Sequence, residues 1–164
     1  MSDSIFIDSE QFARDGQHLT GKVAVADLAR LHDQLVSTEG SITFELTGGV
    51  DLRKRGTLAL TTAGHVKQMC QRCLEPMNVS IDTESSLTLF QDEQAIEDAS
   101  EDEPDIEGIV ASKRLDVVAL VEDEVLLSLP LAPRHDVCRA AGDNNARSDK
   151  PNPFAVLKQL KQPK

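Results

Sequence analysis

Aromatic side chains are nearly missing from this chain, which has five Phe, no Trp and no Tyr in 164 residues. A core must therefore be built from Leu, Val, Ile and Ala, and there is little material for a row of aromatic platforms on which successive bases could stack. Cysteine is scarce as well: three residues are an odd number and do not make a disulfide framework. No stretch approaches the roughly 18 consecutive apolar residues of a membrane span, and the N-terminal MSDSIFIDSEQF lacks a basic region followed by an apolar one. A cytosolic protein with reduced thiols is expected. Also lacking are a glycine-rich phosphate loop and a nucleophile elbow, while His18, His32 and His65 stand apart from any acid and nucleophile set. The residues give no support for an enzyme.

Bases are absent from one long segment. Residues 91–107, QDEQAIEDASEDEPDIE, hold nine acids and no Lys or Arg, and account for nearly all of the net charge of −11. Read by composition, this run is a flexible, solvated acidic loop. Elsewhere the charges balance, and the far C-terminus leans basic, so bulk acidity does not exclude a polyanionic partner. Arg53, Lys54 and Arg55, joined by Lys67 and Arg72, could form one positive edge against phosphates. Charged residues on a solvated hairpin face are also commonplace. The acidic run could compete with RNA for such an edge.

What is present is alternation. Residues 19–25 read as a strand, and 26–35 as a helix with Asp27 as N-cap and Leu28, Leu31 and Leu35 at helical spacing. Residues 41–48 alternate as a half-buried strand, with Gly48 and Gly49 marking a turn. A strand runs on to Gln68, and another occupies 77–90, with Pro76 helping to close the bend between them. Residues 114–130 predict a helix ended by Pro130, with Glu122 in its apolar arc, read as snorkelling to water in preference to the alternative of a buried, paired carboxylate. In residues 151–161, Asn152 can cap and Pro153 suits the first helical position of a terminal helix carrying Phe154, Leu157 and Leu160. This helix could dock into a partner's groove through Phe154, with Lys158 and Lys161 near its end, or pack on its own domain. The fold class expected is α+β: one domain over 1–164, a mainly antiparallel sheet with a few packed helices and a long acidic loop.

The chemistry concentrates in MCQRCLEPM, residues 69–77. A CxxC at the bend between two strands is where a zinc knuckle places two thiolates. Cys138 and His135 supply an HxxC half about sixty residues downstream, completing a Cys3His set of soft ligands. Closing so long a loop costs about 4 kcal/mol, against roughly 10 kcal/mol or more from a structural zinc. Distance thus does not forbid the site. Two thiols packed beside a small core is the plainer alternative. Redox chemistry would need the CxxC to open a helix, which the following strand pattern opposes.

Three segments in order, CQRCLEPM at 70–77, VEDEVLLSLPLAPRHDVC at 121–138 and KPNPFAVLKQLK at 150–161, closely resemble the YceD family, the large ribosomal RNA subunit accumulation proteins. The first 40 residues match in outline only. The resemblance implies a bacterial cytosolic protein needed for synthesis or accumulation of 23S ribosomal RNA, with no assigned active site. Its partners would be ribosomal RNA or a pre-ribosomal particle, or ribosomal or rRNA-processing proteins. The family's cysteine pair falls on Cys70 and Cys73. Where relatives carry further cysteines after the proline segment, this chain has His135 and Cys138. A zinc-dependent or thiol-based enzyme acting through Cys70 and Cys73 is the alternative from another class.

Overall fold

The computed structural model describes residues 4–140. In chain order its elements are β1 (Phe6–Ile7), α1 (Ser9–Arg14), β2 (His18–Ala24), two 3-10 turns (Val25–Asp27 and Ala29–Gln34), β3 (Ser41–Val50), β4 (Gly56–Met69), β5 (Pro76–Phe90), α2 (Glu93–Asp102), β6 (Glu107–Val110), β7 (Leu115–Asp116) and α3 (Val117–Ser128). The fold is α+β, as the sequence predicts.

Strands β2 to β5 form an antiparallel meander, and β6 adds at its end in parallel, Leu87 lying opposite Glu107. A parallel neighbour needs a crossover, and α2 supplies it. β1 and β7 pair separately, Phe6 opposite Asp116. Alternation puts Ile42, Phe44, Leu46, Leu58, Leu60 and Val66 on one face. Val117, Val121 and Val125 of α3, Leu28 and Leu31 of the 3-10 turns, and Phe12 and Ala13 of α1 complete the core. The opposite face of β3 and β4 is solvated and mostly polar.

The acidic run is not one loop. Asp92 caps α2, its carboxylate accepting from the Ala95 N–H at 2.9 Å, and Ala95, Ile96 and Ala99 are half-buried. Ile96 sits so close to Gly108 that a side chain there would meet it at 2.8 Å. Composition obscured a good N-cap, strong helix formers and acids suited to the helix start.

Four local expectations change. Leu28 and Leu31 are buried not by a helix over 26–35 but by the two 3-10 turns, whose three-residue period serves an i, i+3 pair equally well. Asp27 makes no capping bond. Gly48 and Gly49 lie inside β3, and the turn follows at Asp51–Arg55. Gly48 is required by packing: a Cβ there would stand 2.2 Å from the Phe12 carbonyl oxygen of α1. Pro76 opens β5 opposite Met69. Finally, Glu122 does not snorkel. It is buried, and its carboxylate accepts from the backbone N–H and the Nε of Arg30, each at 2.7 Å, because the 3-10 turns bring Arg30 against α3.

Candidate metal centre and basic neighbours

The connection from β4 to β5 is a tight knuckle. Cys70 N–H donates to the Glu75 carbonyl at 2.9 Å, and Leu74 N–H donates to the Cys70 carbonyl at 3.0 Å. Closing it places Leu74 at φ +59°, a left-handed conformation that costs an ordinary L residue about 1 kcal/mol or more. The closed turn leaves the sulfurs of Cys70 and Cys73 close to each other.

After α3 the chain returns to this knuckle. Gln71 N–H donates to the Pro133 carbonyl at 2.8 Å, and the Arg72 guanidinium donates to the Cys138 carbonyl at 3.1 Å. The ligand atoms of Cys70, Cys73, His135 and Cys138 consequently all lie within 4.8 Å of one another. The Cys70 and Cys138 sulfurs are 3.8 Å apart, and the Cys73 sulfur is 3.3 Å from His135 Nδ1. Zinc at about 2.3 Å from each sulfur in a tetrahedron gives sulfur to sulfur edges of about 3.8 Å. The arrangement therefore fits a four-coordinate ion with little adjustment.

The electrostatics point the same way. Burial alone would push the Cys70 thiol up, but the backbone N–H groups of Cys73, His135 and Arg72 converge on its sulfur and bring it down to about 5. Cys138 is pushed up by burial and by the neighbouring Cys70 and Cys73 sulfurs. One thiolate is thus ready-made, and further thiolates await a positive charge at the centre. With Cys70 buried, this thiolate is poorly placed to attack a substrate.

The expected basic residues divide. Arg53, Lys54 and Arg55 occupy the turn before β4. Lys67 and Arg72 belong to its other end, about 40 Å along a strand of this length. The structure therefore does not gather the five into one edge. Lys67 pairs with Glu39 at 3.4 Å, and Arg72 serves the knuckle. Arg53 reaches Glu103 at 2.7 Å; Arg55 is bidentate on Glu103 and also binds Asp51. Glu103 is held below the ordinary carboxylate range mainly by its hydrogen bond to Arg55. Asp51, despite burial, is held down by the Arg55 backbone and guanidinium. Phe154, Lys158 and Lys161, and with them the expected terminal helix, lie outside the described residues. Sequence reading missed the Arg30–Glu122 pair and a cavity beside Arg14, neither of which leaves a local pattern.

A family model described as "Large ribosomal RNA subunit accumulation protein YceD" matches residues 58–161, a span that includes all four candidate ligands. The chain belongs to the YceD family. A Haemophilus influenzae YceD protein carrying the same description is 31% identical over 154 residues, covering 87% of this chain and 86% of the relative. The family membership expected from the three motifs is thereby established, and with it an involvement in accumulation of the large-subunit ribosomal RNA. No solved structure matches the chain. No helix among the described residues is long and apolar enough to cross a membrane.

Proposed function

We propose that this YceD protein is a non-catalytic, cytoplasmic ribosome-biogenesis factor required for 23S ribosomal RNA accumulation, acting by binding ribosomal RNA or proteins of the assembling large subunit. The match over residues 58–161 carries this reading. Within it, Cys70, Cys73, His135 and Cys138 hold a structural zinc ion. Four protein ligands close a tetrahedral site, whereas catalytic zinc keeps a position open for water. The ion fastens the segment after α3 to the sheet and fixes the surface around the knuckle. Complementation tests the reading. In cells lacking the gene, the wild-type chain restores the ratio of 23S to 16S rRNA. A folded Cys70→Ser/Cys73→Ser protein gives partial restoration at reduced abundance. Unchanged 23S accumulation in cells lacking the gene would refute the function. Complete loss of activity from a stable, normally abundant double variant would instead favour thiol or zinc catalysis.

A further inference from the structure

At the end of the sheet opposite the knuckle, α1, α2 and the β3–β4 turn line a half-open cavity of about 410 Å3, within the roughly 300–1,000 Å3 typical of small-ligand sites. Its apolar wall includes Val50, Leu89 and Phe90, with Ala95 from α2. Arg14 and Lys54 stand in its lining, and neither pairs with a carboxylate among the described residues. Lys54 is held there at φ +64° by the turn that Asp51 organises, its carboxylate accepting the Arg53 and Arg55 N–H groups at 2.8 Å each.

Arg55 completes the lining differently. Its Nε and both terminal nitrogens are spent on Asp51 and Glu103, while its guanidinium lies over the Phe90 ring, 5.6 Å from the centroid. With each of its three nitrogens engaged, Arg55 has a planar face to offer, and such faces stack on bases. Glu10 is the one acid in the lining and disfavours a ligand of purely anionic character. The ligand that fits pairs one or two negative charges with a flat, largely apolar body.

We propose that this cavity binds one unpaired nucleotide of an RNA chain, its phosphate on Arg14 and Lys54 and its base against Phe90 and Leu89. The proposal rests on the reading of the protein as an RNA-directed assembly factor and names where and how RNA is held. A base inside a duplex has its faces stacked on its neighbours and cannot lie flat against Phe90 and Leu89, so single strands, bulges and loops are the substrates. The scarcity of aromatics rules out a row of stacking platforms but not one pocket.

The experiment measures binding by the full-length protein of a fluorescent single-stranded RNA of about ten nucleotides. A duplex of the same sequence, uridine 5′-monophosphate and an acidic phenylalanine-containing peptide serve as competitors. Neutralising one phosphate predicts a salt slope near −0.7, or about a 2.5-fold loss of affinity between 50 and 200 mM salt. Arg14→Gln/Lys54→Gln, which keeps the side-chain stems, should weaken binding at least tenfold and flatten that slope. Ala95→Leu, which fills the cavity without changing charge, should weaken it comparably, and the control Lys22→Gln should leave it intact. Melting curves confirm that each variant is folded. RNA that binds the wild type but is indifferent to both Arg14→Gln/Lys54→Gln and Ala95→Leu would overturn the cavity while sparing the RNA reading. Absence of RNA binding to the wild type would overturn both. Duplex competing as well as single strand, or the mononucleotide or peptide binding as tightly as the RNA, would overturn the assignment to an RNA chain.

Discussion

The proposed zinc latch predicts that removing the metal destabilises the whole protein and does not merely loosen its end. Cys73 and His135 are 62 residues apart in sequence, so an ion joining them bridges a span containing β5, α2, β6, β7 and α3. For a cross-link of that span the chain-entropy rule gives about 4 kcal/mol at 25 °C. With an unfolding entropy near 2.1 cal/mol/K per residue, this corresponds to a fall in Tm of about 12 °C for a chain of 164 residues. The assay is scanning calorimetry of protein purified without chelator, before and after a high-affinity zinc chelator, with native mass spectrometry counting the ion. In Cys138→Ser, which retains three ligands, the chelator-sensitive part of Tm should shrink to a few degrees. One zinc per chain with a melting curve that chelation leaves in place would refute the latch. Absence of metal in the untreated protein would refute the site itself.

In metal-free protein the ultraviolet absorbance of thiolate should rise in a step near pH 5 that vanishes in Cys70→Ser. Because the folded thiol titrates below the unfolded one, Cys70 should stabilise the apo fold fully above the ordinary thiol range, and that contribution should be lost as pH falls through about 5. Gly48→Ala should cost roughly 3 kcal/mol in denaturant melts, since its Cβ would overlap the Phe12 carbonyl; a loss under about 1 kcal/mol would contradict the close approach. A double-mutant cycle of Arg30→Ala and Glu122→Gln should give a coupling of about 1 kcal/mol, discounted because Arg30 is half exposed; additivity would refute the pairing. Glu103→Gln should strengthen RNA binding and steepen its salt dependence by releasing Arg53 and Arg55; unchanged binding would show that the clamp does not restrain them.

Strands and the two halves of the Cys3His cluster were legible because both depend on local rules. Period-two alternation located β3 and β5 within a few residues, and two ligands three positions apart mark each half of the centre wherever the chain later carries them. What could not be read are features made by meeting partners. Glu122 looks like a helix-edge acid until Arg30, 92 residues away, arrives to receive it. Leu28 and Leu31 satisfy a helix and a 3-10 turn alike, and tertiary packing chose the turn. The positive edge failed for a geometric reason: Arg55 and Lys67 are near in sequence but sit towards opposite ends of a 14-residue strand. Helix α2 was hidden by charge, although Asp92 and the Ala-Ile pair after it carried the signal.

The charge pattern also explains how a chain of net −11 could select RNA instead of merely attracting it. A basic surface binds any polyanion through counterion release, with affinity that grows with each neutralised phosphate. Here Glu103 takes up Arg53 and Arg55, and Glu39 takes up Lys67. The acids of α2 are exposed to solvent and repel a backbone that makes only distant contacts. Long-range attraction is therefore small, and two cations at one cavity remain available. On the proposed reading, affinity comes from the fit of a single unpaired nucleotide and from whatever the surface around the Cys3His cluster at the far end of β4 contacts. Two proposed weak sites about 40 Å apart along one strand pair would favour a partner that presents both features at that spacing. An assembling ribonucleoprotein particle meets this requirement, and free RNA of arbitrary sequence does not.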